Sequence, residues 1–478
     1  MKFSKTFRLN LSQPELDFVD VDLDGDMRLF IDPYALVGRP DELSRRCTSD
    51  IQDYFQVVLD CLKRGDRIRL QALMANLREP NETRLGLSRG LPRGSGVGTA
   101  LSDRILAALS RSKAIETGLI RDLSDTELLI EGIGADKISD LATNIIRRHL
   151  IHYTQAQCGV HGIPMIGTIA SGPLWNSSRQ TWEQGHVRLP IVDGKKVVLV
   201  PKSFVRWRSS LDPREYYQHY VLNYIQQEEF ERPGSSLVRV LKDGERRPPS
   251  KKSLFAINDG TKADLLDFSA RHPQVLDEYR ARKKGLLPLT NKELIDSFDA
   301  KAFAAALAAV LPGIALGSTG ETEYHRFMVG LLSFLFYPNL IYPETEERIH
   351  EGRKRIDITY VNGALSGLFE RFGATTRLAA VKIMVECKNY TDDLGNKETD
   401  QLSGRFGPTR GWLGILACRQ IDDRARLMAR CRDTARDGRG FIIPVDDADV
   451  LSMLRHVEAG KEEFVDAHMT RIYSELLK

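Results

Sequence analysis

The sequence predicts an α/β protein in which an N-terminal α+β region precedes a C-terminal domain of alternating strands and helices. From about residue 315 onward, short apolar segments typical of strands alternate with helical segments, which is the pattern of an α/β sheet. The first 245 residues instead mix helical periodicity with isolated strand-like segments. The 478 residues are enough for two or three domains.

The composition is that of a globular protein without a membrane-spanning segment. Hydrophobic residues make up 42% and charged residues 28%, with a formal net charge of +3, which excludes a disordered chain and a polybasic tail. The six cysteines are scattered and form no disulfide framework, so we expect reduced thiols. No apolar run is long enough to cross a bilayer of about 30 Å, and the N-terminus lacks the apolar segment of a signal peptide. We therefore expect a soluble cytoplasmic protein with no membrane partner.

The chain divides into three parts by residue composition and by helix-like or strand-like pattern. We predict an N-terminal α+β domain for recognition or regulation at 1–245, a helical connection at 246–314 and the α/β domain at 315–478. Within the first part, Phe18–Leu23 and Met27–Ile31 read as the two strands of a hairpin, because Asp-Gly between them is a turn sequence.

Three weaker motifs in the first part each have two interpretations. The loop Ser88–Gly98 fits either a phosphate-binding loop or a flexible surface loop. The stretch from Lys202 to Arg208 alternates cations with aromatics, as in a nucleic-acid surface, but a half-buried strand has the same pattern. The spacing H-x₂-H-x₅-C-x₂-H of His149, His152, Cys158 and His161 contains zinc-ligand types, yet it is not that of a zinc finger, and we favour a basic helix.

The C-terminal domain carries the clearest order of elements. A helix is predicted at Glu321–Phe336, followed by five strands with two helices between the later ones. The predicted strands are Leu340–Ile349, Arg355–Val361, Val381–Tyr390, Trp412–Cys418 and Phe441–Val445, and the two helices are Thr399–Phe406 and Asp423–Asp437.

Three polar residues interrupt the apolar alternation of two neighbouring strands. Alternate side chains of a strand share a face, so Glu386 and Lys388 point away from the apolar face that Val385 and Cys387 form. Asp357 is likewise bracketed by isoleucines in the preceding strand. We therefore expect Asp357, Glu386 and Lys388 to converge on one face of the sheet.

This set of residues suits metal-assisted hydrolysis. Two carboxylates supply the oxygen ligands that Mg²⁺ prefers, and the ion lowers the pKa of a bound water. A lysine beside them is a compact cation that orients the water and steadies a phosphate. The alternative is that these residues form a solvated face with surface ion pairs. The short apolar segments around them are typical of a sheet covered on both sides, where burying a charge without a partner is costly.

The pattern D…(D/E)-x-K across two strands resembles the PD-(D/E)XK nuclease superfamily, and a helix with Gln401 after the second strand resembles its Mrr-like branch. The resemblance covers roughly residues 318 to 450 and implies a restriction-endonuclease-like αβββαβ core. It implies that Asp357 and Glu386 bind Mg²⁺, with Mn²⁺ as a substitute, that Lys388 positions the attacking water and that Gln401 supports the site.

The acid of the first helix in this superfamily falls on Glu323, with Glu321 as a close competitor. One departure from the family pattern is Ile356, which stands where the family name has proline. Basic residues flank the predicted site and are expected to contact phosphates; they are Arg353, Lys354, Arg355, Arg405 and Arg410. A solvated charged surface explains the same residues.

This resemblance implies a Mg²⁺-dependent endonuclease that acts on DNA, with a role in restriction or antiphage defence, and it leaves RNA open as a substrate. The alternative is a catalytically silent nuclease-like module that binds DNA or a partner protein. A single site that cuts one strand would need a homodimer or a partner subunit for a double-strand break.

Overall fold

The computed structural model describes residues 1–86, 105–109, 112–115, 117–242, 244–255, 259–349, 354–390 and 394–478. The loop Ser88–Gly98 and Arg353 lie outside these residues.

Two hydrophobic cores organise the described residues. The first collects buried side chains between Phe3 and Leu294, together with Ile341 and Tyr342. The second runs from Ala304 to Leu476. The helices of the predicted connection therefore divide between the cores, since Leu254–Leu294 supplies the first core and Ala304 begins the second.

The first core is mainly helical, with short antiparallel strand pairs at its surface. Its helices are Phe3–Thr6, Pro33–Leu36, Glu42–Arg64, Arg67–Met74, Asp125–Leu129, Ala135–His161, Pro213–Tyr216, Leu222–Glu231, Lys251–Phe255, Lys262–Arg271, Pro273–Lys283 and Asn291–Leu294. Its strand pairs are Phe30–Ile31 with Val205–Arg206, Ile166–Ala170 with His186–Leu189, Leu174–Asn176 with Thr181–Glu183, Ile191–Val192 with Lys195–Lys196, and Arg239–Val240 with Arg246–Arg247.

Local sequence signals set the ends of the long helices. Helix Glu42–Arg64 begins where Asp41 accepts a hydrogen bond from the Ser44 backbone N–H at 2.7 Å, and it ends at Gly65, whose φ is 69°. An aspartate satisfies otherwise unpaired N–H groups at a helix start, and glycine adopts the left-handed conformation that stops the helix at little cost.

The predicted hairpin at Phe18–Leu23 and Met27–Ile31 is wrong. Phe18 forms a bridge with Pro201, and the Val19 N–H donates to Val200 O at 2.9 Å. Both segments are buried in the first core, so they pair with distant parts of the chain instead of with each other.

The second core surrounds one five-stranded sheet, as the sequence predicts for a mixed α/β region. Helix Ala300–Val310 precedes it. We number the elements that follow in chain order: α1 Glu321–Phe336, β1 Leu340–Ile349, β2 Lys354–Asn362, α2 Gly367–Ala374, β3 Lys382–Lys388, α3 Asn396–Ser403, β4 Leu413–Cys418, α4 Arg424–Arg436, β5 Phe441–Val445, α5 Asp447–Glu458 and α6 Glu463–Leu476.

The strands follow one another in the order β1-β2-β3-β4-β5. The pairs β1/β2 and β2/β3 are antiparallel, and β3/β4 and β4/β5 are parallel. Helix α1 covers the face that carries Tyr360, whose hydroxyl donates to Val329 O at 2.7 Å. Helix α3 covers the opposite face, where Gln401 contacts Glu386. Between the two cores, the Tyr342 backbone N–H on β1 donates to Asp17 at 3.0 Å.

Among the described residues, no helix is both long enough and apolar enough to span a membrane.

Candidate active site

Asp357 and Glu386 face each other across strands β2 and β3. The strands pair Ile358 with Val385, and the same register continued by one residue sets Asp357 opposite Glu386. The backbone N–H of Cys387 donates to Asp357 Oδ2 at 3.0 Å, which fixes the aspartate against β3. The structure thus brings together the two carboxylates that the sequence predicted as a pair.

Three nitrogen donors surround the Glu386 carboxylate. Lys388 Nζ donates to Glu386 Oε1 at 2.7 Å and Gln401 Nε2 to the same oxygen at 2.5 Å. Arg405 forms an ion pair with Oε2. Gln401 Oε1 also accepts from Lys388 Nζ at 3.3 Å, so the glutamine contacts both Glu386 and Lys388.

The surroundings make this carboxylate costly to leave unpaired. The Glu386 side chain is 1% exposed and that of Lys388 is 15% exposed, while Asp357 is half-buried. A buried charge is tolerated only with close counter-charges and hydrogen bonds, which Lys388, Arg405 and Gln401 supply. Burial lowers the pKa of Arg405, and the charge of Asp357 opposes that shift.

The local sequence explains how the donors reach the site. Strand β3 is buried from Ile383 to Cys387, so its alternation leaves Glu386 and Lys388 on the face toward α3. Helix α3 begins after Gly395, whose N–H donates to Glu398 at 2.8 Å. Gln401 lies one turn further along and Arg405 follows the end of the helix, so both face β3.

The remaining predicted residues lie outside this cluster. Glu321 and Glu323 are exposed in the first turn of α1. Arg355 is exposed and pairs with Glu346 at 3.1 Å.

Arg405, Lys354 and Arg410 occupy different places in the structure. Arg405 is buried and bound to Glu386, so its guanidinium does not lie on the surface that we predicted for phosphate contacts. Lys354 begins β2. Arg410 donates through Nε to Arg405 O at 2.8 Å and so holds the segment that carries Arg405.

Two residues that the sequence analysis missed fix the end of β3. Asn389 Nδ2 donates to Ala315 O at 2.9 Å and to Gly317 O at 2.8 Å. Arg419 donates to Asn389 Oδ1 at 2.9 Å. These bonds fasten the segment before α1 to the strand that carries Glu386. The position of Asn389 directly after Lys388 was a sequence signal that it lies at the site. Its hydrogen-bond partners could not be predicted, because they come from distant parts of the chain.

The carboxylate pair fits a magnesium ion by donor type. In the described ranges, no group of three or more His, Cys, Asp or Glu side chains is arranged to hold a metal ion. Mg²⁺ is commonly bound by one or two carboxylates and retains several waters, so Asp357 and Glu386 supply enough protein ligands. At Glu386, a divalent ion would take over the positive charge that Arg405 now supplies.

The weaker motifs of the first core have structural roles. Lys202 and Phe204 are fully buried, and Arg206 donates to Leu287 O at 2.6 Å, which supports the buried strand over the nucleic-acid surface. His149 lies on helix Ala135–His161 and pairs with Asp50 at 2.9 Å.

A family model matches part of the chain. Residues 8–212 match a family described as a domain of unknown function, DUF8370. The match covers much of the first core and none of the sheet that carries Asp357 and Glu386. No curated protein and no solved structure matches the chain.

Proposed function

We propose that the C-terminal region is a Mg²⁺-dependent nuclease that hydrolyses phosphodiester bonds, with DNA as the first substrate to test. The observation that carries the proposal is the cluster of Asp357, Glu386 and Lys388 on neighbouring strands. Gln401 is hydrogen-bonded to both Glu386 and Lys388. Restriction or antiphage defence is the biological role that we propose with it.

In this proposal Asp357 and Glu386 hold the metal ion. The ion supplies positive charge that stabilises the phosphate and lowers the pKa of water. The chain's own residues orient the reaction. Lys388 Nζ donates a hydrogen bond to the attacking water and places it in line with the phosphorus. Gln401 fixes Lys388, because its amide oxygen accepts from Nζ and its amide nitrogen donates to Glu386.

The burial of Glu386 bears on how such a site becomes active. Arg405 covers one carboxylate oxygen, and the other oxygen receives two donors. A metal ion bound at Oε2 would therefore replace Arg405 there. The same observation favours a second candidate function, a silent nuclease-like module that binds DNA or a partner, in which Arg405 permanently replaces the metal ion.

Cleavage assays on plasmid, linear duplex, single-stranded DNA and RNA test the proposal. We expect cutting with Mg²⁺ and none with EDTA, and a loss of about 10²-fold or more in Asp357→Asn and in Lys388→Ala. The matched controls are Asp400→Asn and Lys397→Ala on α3, neither of which contacts Glu386 among the described residues, and they should cut like wild type.

Two results would reject the enzyme. Cutting that survives both Asp357→Asn and Lys388→Ala would assign the activity to another site or a contaminant. Absence of cutting with Mg²⁺ and Mn²⁺ on every substrate, by a folded protein, would favour the silent module.

A further inference from the structure

A cavity of about 390 Å³ joins the family-matched region to the predicted nuclease sheet. Its walls come from the segment near Phe7–Leu11, the end of helix Ala135–His161, helix α1 and strands β1 and β2. Asp357 is one of the lining residues. The cavity therefore begins at a residue of the candidate site, and the N-terminal region forms its opposite wall.

The N-terminal segment is held against α1 by close packing. Gly330 of α1 lies next to Glu15, because a Cβ on this glycine would come within 3.2 Å of the Glu15 side chain. A larger residue at 330 would disturb this contact between the N-terminal segment and α1.

The cavity is lined by two arginines, Arg8 and Arg326, and by two acidic residues, Glu346 and Asp357, of which Asp357 accepts a hydrogen bond from the Cys387 N–H. Both arginines are exposed, and neither has a carboxylate partner among the residues that the structure describes. The carboxylate of Glu346 is already paired with Arg355 at 3.1 Å. Two uncommitted guanidinium groups in one cavity are a suitable receptor for a phosphate, which arginine binds with paired hydrogen bonds.

Two histidines add hydrogen-bonding capacity to the same cavity. The Nε2 atoms of His161 and His325 are buried and have no hydrogen-bond partner in the described part of the chain. Burial and the nearby charge of Arg326 lower the pKa of His161 to about 4, so its ring is neutral near pH 7. A buried polar atom without a partner is costly, and a polar ligand would relieve that cost.

Five apolar residues also line the cavity, beside Thr322 and Thr345. The apolar residues are Phe7, Leu9, Leu11, Val160 and Val329. An aromatic and aliphatic wall beside two cations matches a nucleotide, because the base needs an apolar or stacking surface and the phosphate needs positive charge. The cavity volume is near the lower end of the range of about 300–1,000 Å³ for small-molecule sites, which suits one nucleotide.

We propose that this cavity binds one unpaired nucleotide of a nucleic-acid strand, with its phosphate held by Arg8 and Arg326. The substrate class is then single-stranded, flapped or frayed nucleic acid. The inference rests on the proposed nuclease function for its biological meaning, but the binding site itself does not require cleavage. The DUF8370-matched region contributes Arg8 and His161 to the site and so selects the strand that reaches Asp357.

Equilibrium binding of the full chain in EDTA tests this site without any cleavage. The probes are a fluorescently labelled single-stranded oligonucleotide and the same sequence as a blunt duplex. We expect the single strand to bind at least about tenfold more tightly, and Arg8→Ala and Arg326→Ala each to weaken it by about 5–10-fold. Each variant should also reduce the slope of log K against log salt by about 0.7, the value for one phosphate contact on a single strand.

The matched control is Arg28→Ala, an exposed arginine outside the cavity, which should bind like wild type. Thermal melting of each variant establishes that it is folded. Equal affinity for duplex and single strand, or unchanged binding by both cavity variants, would overturn the proposal. Competition by a free nucleoside monophosphate at the concentration that saturates the oligonucleotide site would also overturn it, in favour of a small-molecule nucleotide.

The outcomes separate this inference from the nuclease. Binding that depends on Arg8 and Arg326 without metal-dependent cutting would keep the site and reject the enzyme. Cutting that requires Asp357 while both cavity variants bind and cut normally would keep the enzyme and reject the site.

Discussion

Two clusters of buried charge differ in what neutralises them. Around Glu386, cations meet the carboxylate directly through Lys388 and Arg405. Around Lys202, the cation meets neutral groups: Nζ donates to Asn291 Oδ1 at 3.3 Å and lies 4.0 Å from the centre of the Tyr337 ring. The nearby Asp17 accepts from the Tyr153 hydroxyl at 2.6 Å and from the Tyr342 N–H at 3.0 Å.

The difference separates a candidate site from a structural contact. The Lys202 side chain is fully buried and joins the first core to the beginning of the sheet. The Glu386 cluster is open on one side, because Lys388 retains some exposure and the neighbouring Asp357 lines a cavity. Burial of charge is therefore not evidence of a site on its own.

The largest effect on stability is expected at the buried group of Lys202 and Asp17, which we call the closed cluster; the group around Glu386 is the open cluster. Asp17→Ala removes the acceptor of Tyr153 and of the Tyr342 N–H, and it removes the negative charge near Lys202. Breaking such a buried arrangement should lower the free energy of unfolding by about 3–5 kcal/mol, measured by denaturant unfolding. Asp53→Ala, on the exposed side of helix Glu42–Arg64, is the control and should change it by less than about 0.5 kcal/mol. A loss under about 1 kcal/mol for Asp17→Ala would show that the two clusters do not differ in this way.

A smaller effect is expected for Arg405→Ala at the open cluster. Lys388 and Gln401 still satisfy one Glu386 oxygen, so the loss should be about 1–3 kcal/mol. If the proposed metal site is correct, Ca²⁺ should raise the melting temperature of this variant more than that of wild type, since the cation that covers Oε2 is gone.

The control for this substitution is Arg439→Ala, which removes an exposed pair with Asp400 and should cost less than about 1 kcal/mol without altering the Ca²⁺ effect. An Arg405→Ala protein that ignores Ca²⁺ would count against a metal ion at Glu386.

The sheet region was predictable because its signals are local. Helix α1 has the bounds Glu321–Phe336 that the sequence predicts, and strand β5 has the predicted bounds Phe441–Val445. Apolar alternation and helical spacing each depend on residues a few positions apart. The convergence of Asp357, Glu386 and Lys388 follows from the same alternation once the two strands are neighbours.

The N-terminal region was not predictable in this way. Phe18 pairs with Pro201 and Met27 with Leu85, and nothing near these residues in sequence specifies such partners. The Asp24-Gly25 turn signal is present in the sequence. The segments on either side of it are buried in the first core against residues far away in the sequence, so tertiary packing overrides the local hairpin signal.

The same limit applies to details of the candidate site. Gln401 could be placed from its helix, whereas the ion pair of Arg405 with Glu386 depends on how the chain returns after α3. The link from Arg419 through Asn389 to Ala315 joins three separate segments. Spacing in the sequence carries no information about such a link.

The smallest of these effects is a pH dependence at the closed cluster. Burial lowers the pKa of Lys202 to about 7, and the charge of Asp17 opposes the shift. The lysine pKa in an unfolded chain is about 10.4, so between these values the unfolded chain binds a proton that the folded chain does not, and stability rises with pH. Lys202→Met removes this contribution while keeping a side chain of similar length.

We expect Lys202→Met to be more stable than wild type near pH 7, and this advantage to fall by about 1 kcal/mol for each pH unit toward about pH 9.5. Melting temperatures of both proteins across that range give the measurement. Lys5→Met, at an exposed position, should differ from wild type by a constant amount. A difference for Lys202→Met that is equally constant would mean that Lys202 keeps its charge throughout, and the closed cluster would then hold a permanent buried cation like that of Arg405 beside Glu386.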